Sequence, residues 1–185
     1  MAENTENFFT VDEEDLVRQV KQNPQGFDRL YLFYVDKVFR YLYNRIGNRQ
    51  DAEDVTTQTF MAALRGFEKY KHNGQFSAWL FSIARNKSID FFRQHKDLVS
   101  IEDYEQKSVD NDPLNELIYS EKLAILSKLI GSLPEKEREL LRLRFLAQMK
   151  FSEIAHLMNR SENAVKKEIY RLVARLQAQV EVSND

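Results

Sequence analysis

Between Phe27 and Gly47 the residues Leu30, Tyr31, Tyr34, Val38, Tyr41 and Leu42 recur at steps of three and four. A helix, with about 3.6 residues per turn, places such a set along one face, and a strand does not. Leu32, Phe33, Val35 and Phe39 add a second apolar flank, which predicts a central helix packed on both sides. Gly47-Asn48 ends it, since glycine accepts the left-handed turn past a helix C-terminus.

The same period governs the rest of the first half. Asp12 to Gln22 reads as a short helix with Asp12, Glu13, Glu14 and Asp15 in its first turn, where acids meet the positive end of the dipole. Asn23-Pro24-Gln25-Gly26 breaks it. Another helix is expected from near Asp51, with Ala52, Val55, Phe60, Leu64 and Phe67 on its buried side. Asp51, Glu53 and Asp54 fall in its first turn, either as solvated acids favoured by the dipole or as a surface for a basic partner. After a polar loop, Tyr70 to Gln75, whose Asn73-Gly74 pair signals a turn, Phe76, Trp79, Leu80, Ile83 and Ala84 form one more helical stripe. These helices predict one bundle over residues 8–96.

From Asp97 to Tyr119 acids stand against a single lysine with little periodic apolar content, which reads as an acidic linker over 97–119. A second unit is expected over 120–180. Leu123, Leu126, Leu129 and Ile130 mark one helix, and Pro134 opens the next, which carries Leu140, Leu141, Leu143 and Phe145. Glu135, Glu137 and Glu139 fall in its first turns. Phe151, Ile154, Ala155, Leu157 and Met158 make a short helix, Asn159-Arg160 a tight turn, and Ser161 an N-cap. On the last helix Val165, Ile169, Leu172, Val173 and Leu176 face inward, leaving Asn163, Lys166, Lys167, Tyr170 and Arg171 outward. Two short helices across a tight turn, the second with a basic outer face, form the pattern of a helix-turn-helix. The plainer alternative is a solvated basic face.

With 43% hydrophobic and 12% aromatic residues the 185-residue chain can bury a core, and five glycines, three prolines and few alternating runs favour an all-α fold. The absence of cysteine excludes disulfides, thiolate catalysis and cysteine zinc sites, and suits a reducing cytoplasm. His72, His95 and His156 have no metal-ligand spacing, and no glycine-rich phosphate loop or nucleophile elbow is present. No catalytic residue, metal or cofactor is therefore expected. No apolar run approaches a membrane span and the N-terminus lacks a signal pattern, so a cytoplasmic protein without membrane insertion is expected. The net charge of −2 is uneven, with basic stretches at 69–96 and 160–175. Lys71, Arg85, Lys87, Arg93 and Lys96 beside aromatic rings suit unpaired bases, which stack on rings while cations hold phosphates. A core helix with a solvated basic face is the alternative.

With both halves in view, the chain resembles the extracytoplasmic-function sigma factors of bacterial RNA polymerase, in the sigma-70 family. The resemblance lies in Asp51-Ala52-Glu53-Asp54-Val55 followed by Phe60, and in Trp79-Leu80, Ile83-Ala84-Arg85-Asn86 and Asp90. In the second half it lies in Leu133-Pro134, Arg138-Glu139, Leu141-Arg142 and Leu143-Arg144, Glu153-Ile154-Ala155 and Val165-Lys166. Four places depart from the family pattern, the first being Thr57-Gln58, where the family usually has a glutamine followed by an acid. Lys150 stands where a serine caps the first helix, which leaves Glu153 without its side-chain partner; Asn159 replaces a glycine; and Glu168 replaces a basic residue, which is expected to alter DNA preference.

The resemblance implies a division of labour. Asp51, Glu53, Asp54, Thr57 and Gln58 would dock on core RNA polymerase, at the clamp coiled coil, with the flap a second contact. Tyr70, Lys71, His72, Asn73, Trp79, Arg85 and Asn86 would hold melted promoter DNA at the −10 element, with a base flipped into a pocket. Asn163, Lys166, Lys167, Tyr170 and Arg171 would read the −35 duplex. It implies an anti-sigma factor as a further partner, and polymerase rather than this chain as the source of catalysis. A stand-alone helix-turn-helix regulator with a helical sensing domain is the alternative, and it leaves the Asp51 to Val55 and Trp79 to Asn86 motifs unexplained.

Overall fold

The structure is a computed structural model that describes residues 13–71, 75–95 and 120–182. Within those residues every regular element is helical. The first unit comprises α1 (Glu13–Gln22), a 3-10 turn (Pro24–Gly26), α2 (Phe27–Ile46), α3 (Arg49–Phe67) and α4 (Phe76–His95). The second comprises α5 (Ser120–Gly131), α6 (Glu135–Leu141) running into a π-helical turn (Arg142–Leu146), α7 (Phe151–Leu157) and α8 (Glu162–Val182). Asp12, residues 8–11, His72 to Gly74 and the expected linker lie outside the described residues.

Capping sets the boundaries of α2 and α3. Gly47 takes φ 81° and its N–H donates to the Tyr43 carbonyl, which closes α2 where the sequence predicts. Asn48 then caps α3, its side chain accepting from the Asp51 N–H at 3.1 Å. So α3 starts at Arg49, two residues ahead of the expected Asp51, and of the acids only Asp51 remains in the first turn. Glu53 and Asp54 are thereby moved beyond the orphan N–H groups and cannot owe their place to the helix end.

Helices α2, α3 and α4 pack on one another, with α1 laid along α2. Their core is largely aromatic. Tyr34, Tyr41, Phe76 and Phe81 are fully buried, each contributing about 1.5–3 kcal/mol by area alone. Phe67 meets Phe27 edge-on at 5.3 Å and Phe76 at 6.0 Å. Lys21 closes the C-terminal end of α3, donating to the Phe67 carbonyl at 2.7 Å while its ammonium lies over the Phe67 ring. Gly66 has a packing reason: a Cβ there would stand 3.2 Å from the Trp79 ring.

Several expected core positions face out. Leu32 is 71% exposed and Tyr31, Leu64, Leu123 and Phe145 also lie at the surface. The second flank of α2 is therefore only partly covered, by half-buried Phe33, Val35 and Phe39. On α4 the error runs the other way. Ser77, Ala78, Phe81, Ser88 and Phe91 are buried in addition to the predicted stripe, and Ile83 is only half-buried. The cause is a second neighbour: α7 packs against α4, and the π-helical turn against α2. The two units are thus in direct contact.

Candidate nucleic-acid interfaces

On α3, Asp54, Thr57 and Gln58 are exposed on one face, with the Thr57 hydroxyl donating to the Glu53 carbonyl at 3.0 Å. Glu53 is exposed and paired with Arg49 at 2.9 Å; Asp51 is half-buried. Met61 and Leu64 continue that face at helical spacing, each more than half exposed. An acidic turn followed by exposed apolar side chains suits a partner with basic residues beside an apolar ridge. Met61 and Leu64 were missed in sequence because Leu64 also fits the inward stripe.

Around the start of α4, Tyr70 is only 8% exposed, its ring 4.8 Å from Trp79 and 5.5 Å from Phe76. Trp79 is half-buried, between Tyr70, Phe76 and Gly66. Tyr70 and Trp79 therefore build the floor from which the loop departs, and Lys71 is exposed beyond them. His72 and Asn73 lie outside the described residues. Arg85 and Asn86 are exposed, with Asn86 seven residues beyond Trp79 along the same side of α4.

In the second unit the helix-turn-helix has the expected form. Asn159 adopts φ 52°, the left-handed conformation that asparagine tolerates. Ser161 Oγ accepts from the Ala164 N–H at 3.3 Å. Val165, Ile169, Leu172 and Leu176 are buried, while Asn163, Lys166, Lys167, Tyr170 and Arg171 are all exposed. Phe151 of α7 meets the Tyr170 ring edge-on at 5.7 Å, and Arg144 lies over the Phe151 ring at 4.5 Å. Tyr170 is thus held upright by a neighbour that sequence alone does not pair with it. Glu168, the acid expected to alter DNA preference, is paired with Arg160, whose charge opposes its repulsion for an anion. Glu153, expected to lack a capping partner, has one: its carboxylate accepts the Lys150 backbone N–H at 2.6 Å. The lysine side chain cannot accept a hydrogen bond, so only that half of the capping box is formed.

Where the units meet, a charged cluster is covered that sequence reasoning did not find. Glu139 on α6 has a side chain only 6% exposed. It accepts from the Tyr41 hydroxyl at 2.7 Å and from Arg45 Nη1 at 2.7 Å, both on α2 and more than ninety residues distant in the chain. Arg85 of α4 stands 3.7 Å away. Arg142, which donates to the Asn44 side chain at 2.9 Å, and Glu135 complete the network. Burial works against the Arg45 charge, but Tyr41, Glu139 and Glu135 beside it hold its pKa above the ordinary value. Burial, and then Glu139, push the Tyr41 hydroxyl up, so it stays a donor. Glu13, at the N-terminus of α1, also senses charges of the second unit. Burial raises the Glu13 carboxyl, the Tyr34 hydroxyl opposing this, while Glu153 and Lys150 of α7 add opposed charges across the junction.

Beside the cluster runs an apolar groove of ≈ 640 Å³, bounded by Leu126, Ile130, Phe145, Val173, Leu176 and Val180. Among the described residues no group of His, Asp and Glu could hold a metal, and no helix is long and apolar enough to cross a membrane.

Comparison with known proteins agrees with the division into two units. Residues 30–97 match the family described as Sigma-70 region 2, and residues 123–176 the family described as Sigma-70, region 4. The ECF RNA polymerase sigma factor SigM of Bacillus subtilis (strain 168) is 32% identical over 152 residues, covering 82% of this chain and 93% of that one. The ECF RNA polymerase sigma factor BldN of Streptomyces coelicolor is 35% identical over 155 residues, which cover 82% of this chain and 59% of BldN. Among solved structures, CnrH in complex with the cytosolic domain of CnrY is similar with a TM-score of 0.64 at 24% identity, over 91% of this chain and 97% of that one. The sigma factor RpoE in complex with the anti-sigma factor NepR from Bartonella quintana gives 0.65 at 20% identity, over 85% and 98%. Those two show likeness of fold. Together with the motifs on α3, α4 and α8, the sequence matches establish that this chain belongs to the extracytoplasmic-function sigma factors of RNA polymerase.

Proposed function

We propose that the chain binds core RNA polymerase, carries it to promoters, and performs no catalytic step itself. Residues 8–96 act as region 2, 97–119 as the spacer and 120–180 as region 4. The acidic and apolar face of α3, from Asp51 to Leu64, docks on the polymerase clamp. Lys71, His72, Asn73, Arg85 and Asn86 hold the melted −10 strand over the floor made by Tyr70 and Trp79. The apolar groove between α5 and α8 suits an apolar helix from the polymerase flap. The observation that carries the reading is α8, whose Asn163, Lys166, Lys167, Tyr170 and Arg171 share one exposed face above a buried stripe, the form that reads a major groove. That CnrH and RpoE were each solved with a protein partner supports an anti-sigma factor for this chain too, acting in the cytoplasm.

The test is reconstitution. Core polymerase with this chain is expected to initiate at a fixed position on promoter DNA, and core alone is not. Asp54→Lys should reduce association with core enzyme while the isolated protein keeps its thermal transition. Unchanged capture of core by that variant would remove α3 from the docking role.

A further inference from the structure

Tyr41 and Arg45 lie one turn apart on α2, so their side chains share a face, and Arg85 reaches the same place from α4. The donors of region 2 thus converge on one anion that region 4 supplies. Glu139 Oε1 takes the Tyr41 hydroxyl at 2.7 Å and faces Arg85 Nε at 3.7 Å, while Oε2 takes Arg45 Nη1 at 2.7 Å. The carboxylate does not saturate the notch. Arg45 Nε is buried and meets no acceptor among the described residues. A planar carboxylate has two oxygens to offer; a tetrahedral phosphodiester presents more, and guanidinium groups pair readily with it.

We propose that the notch formed by Tyr41, Arg45 and Arg85 is a binding site for a DNA backbone phosphate, occupied in the closed protein by Glu139 as an internal stand-in. This rests on the promoter-binding reading above. Arg85 is nearly half exposed and adjoins Asn86 on the side of α4 assigned to the −10 strand, so the notch continues that track. When region 4 moves away, Arg45 loses both of its carboxylate partners, Glu135 and Glu139, in a place where burial opposes its charge. An unpaired, partly buried cation either hydrates or takes another anion. A phosphate of the promoter strand is the anion the function brings there. Region 4 and DNA then compete for the same donors, and closure of the molecule masks the site.

The test compares substitutions on the two sides of one contact. With no native cysteine, single labels at Gln94→Cys and Ala178→Cys report separation of the units in the full chain, and promoter binding is measured with core polymerase over a range of salt. Glu139→Gln and Arg45→Gln should both increase the separation in the free protein. Glu139→Gln should tighten promoter binding about threefold or more by removing the competitor. Arg45→Gln should weaken it about tenfold and lower the salt slope by about one unit, as loss of one phosphate contact does. Arg45→Lys, which keeps the charge, should keep the slope. If Arg45→Gln tightens binding as Glu139→Gln does, or leaves the slope unchanged, the notch holds no phosphate and the site is overturned. Separation unchanged in both variants would overturn the stand-in role of Glu139. Inorganic phosphate at millimolar concentration should not separate the labels; if it does so alone, the ligand is a free anion and not DNA. Failure of the unsubstituted chain to bind promoter with core enzyme would instead overturn the functional reading.

Discussion

The chain gathers cations in two places that differ in what faces them. On α8, Lys166, Lys167 and Arg171 point into solvent from a helix whose other side is aliphatic core. At the junction, Arg45 and Arg142 have side chains only 12% and 9% exposed, each within reach of Glu135 and Glu139. Solvated charges cost little to keep and are free to meet a new partner. Buried ones depend on their present partner, since losing it strands a charge in a poor solvent. The first region stands open to a partner, whereas in the closed protein the second holds two halves of the same chain together.

The sharpest way to break this contrast is Glu139→Ala. Removing one partner of a buried pair costs about 3–5 kcal/mol, and here the strain can be relieved by separating the units. The expected result is a single denaturation transition splitting into two, one for each unit. A single transition at the original midpoint would mean that the cluster does not couple them. Arg171→Ala should do the opposite, leaving stability within about 0.5 kcal/mol while weakening −35 recognition by about 1–3 kcal/mol if Arg171 reads a base. Duplexes with matched and scrambled −35 sequences separate base reading from a phosphate contact, which would weaken both alike.

Glu13 sharpens the comparison through pH. Its carboxyl is held above the ordinary 4.5 by burial, with Tyr34 opposing, Glu153 adding and Lys150 opposing; Lys37, itself lowered by burial, also faces it. A raised carboxyl contributes stability that is full below its unfolded value and is lost as pH rises through the folded one. Acidification from neutrality should therefore strengthen the closed arrangement until the other carboxylates protonate. Glu13→Gln should flatten that rise, as read by label separation against pH; parallel curves for the two proteins would remove Glu13 from the junction. The smallest effect belongs to the exposed Arg49 and Glu53 pair, where Glu53→Gln should change stability by no more than about 0.5 kcal/mol in thermal denaturation.

These contrasts also mark what sequence could and could not show. Helices α2, α4, α6 and α8 follow from local period and caps, and the face of α8 is as read because its polar residues stay exposed. Gly47 and Asn159 were legible through backbone chemistry alone. The start of α3 was misplaced because Asn48, not read as a cap, decides it, whereas the Ser161 cap of α8 was legible. Burial went wrong where the neighbours were not visible in the period: Phe81 is buried with its ring edge-on to Tyr41 of α2, and Leu64 stays more than half exposed. The junction was illegible for a further reason. Glu139 and Tyr41 stand 98 residues apart, and an acid early in a helix fits the dipole pattern as well as it fits a distant arginine. In the −10 set, Tyr70 and Trp79 carry strong signals because they are aromatic, yet their packing makes them the support for the loop beside Lys71, with Arg85 and Asn86 further along α4.

The central claim is that one chain reads a duplex with α8 and holds a melted strand with α4, and that it does so only together with polymerase. Permanganate reactivity of promoter thymines, measured alongside nuclease protection, tests it most directly. With core polymerase and this chain together, thymines of the −10 element should become reactive while the −35 duplex is protected. Arg171→Ala should lose the −35 protection first. Protection by the chain alone, with no thymine becoming reactive when core enzyme is added, would contradict the account and leave a stand-alone duplex-binding regulator in its place.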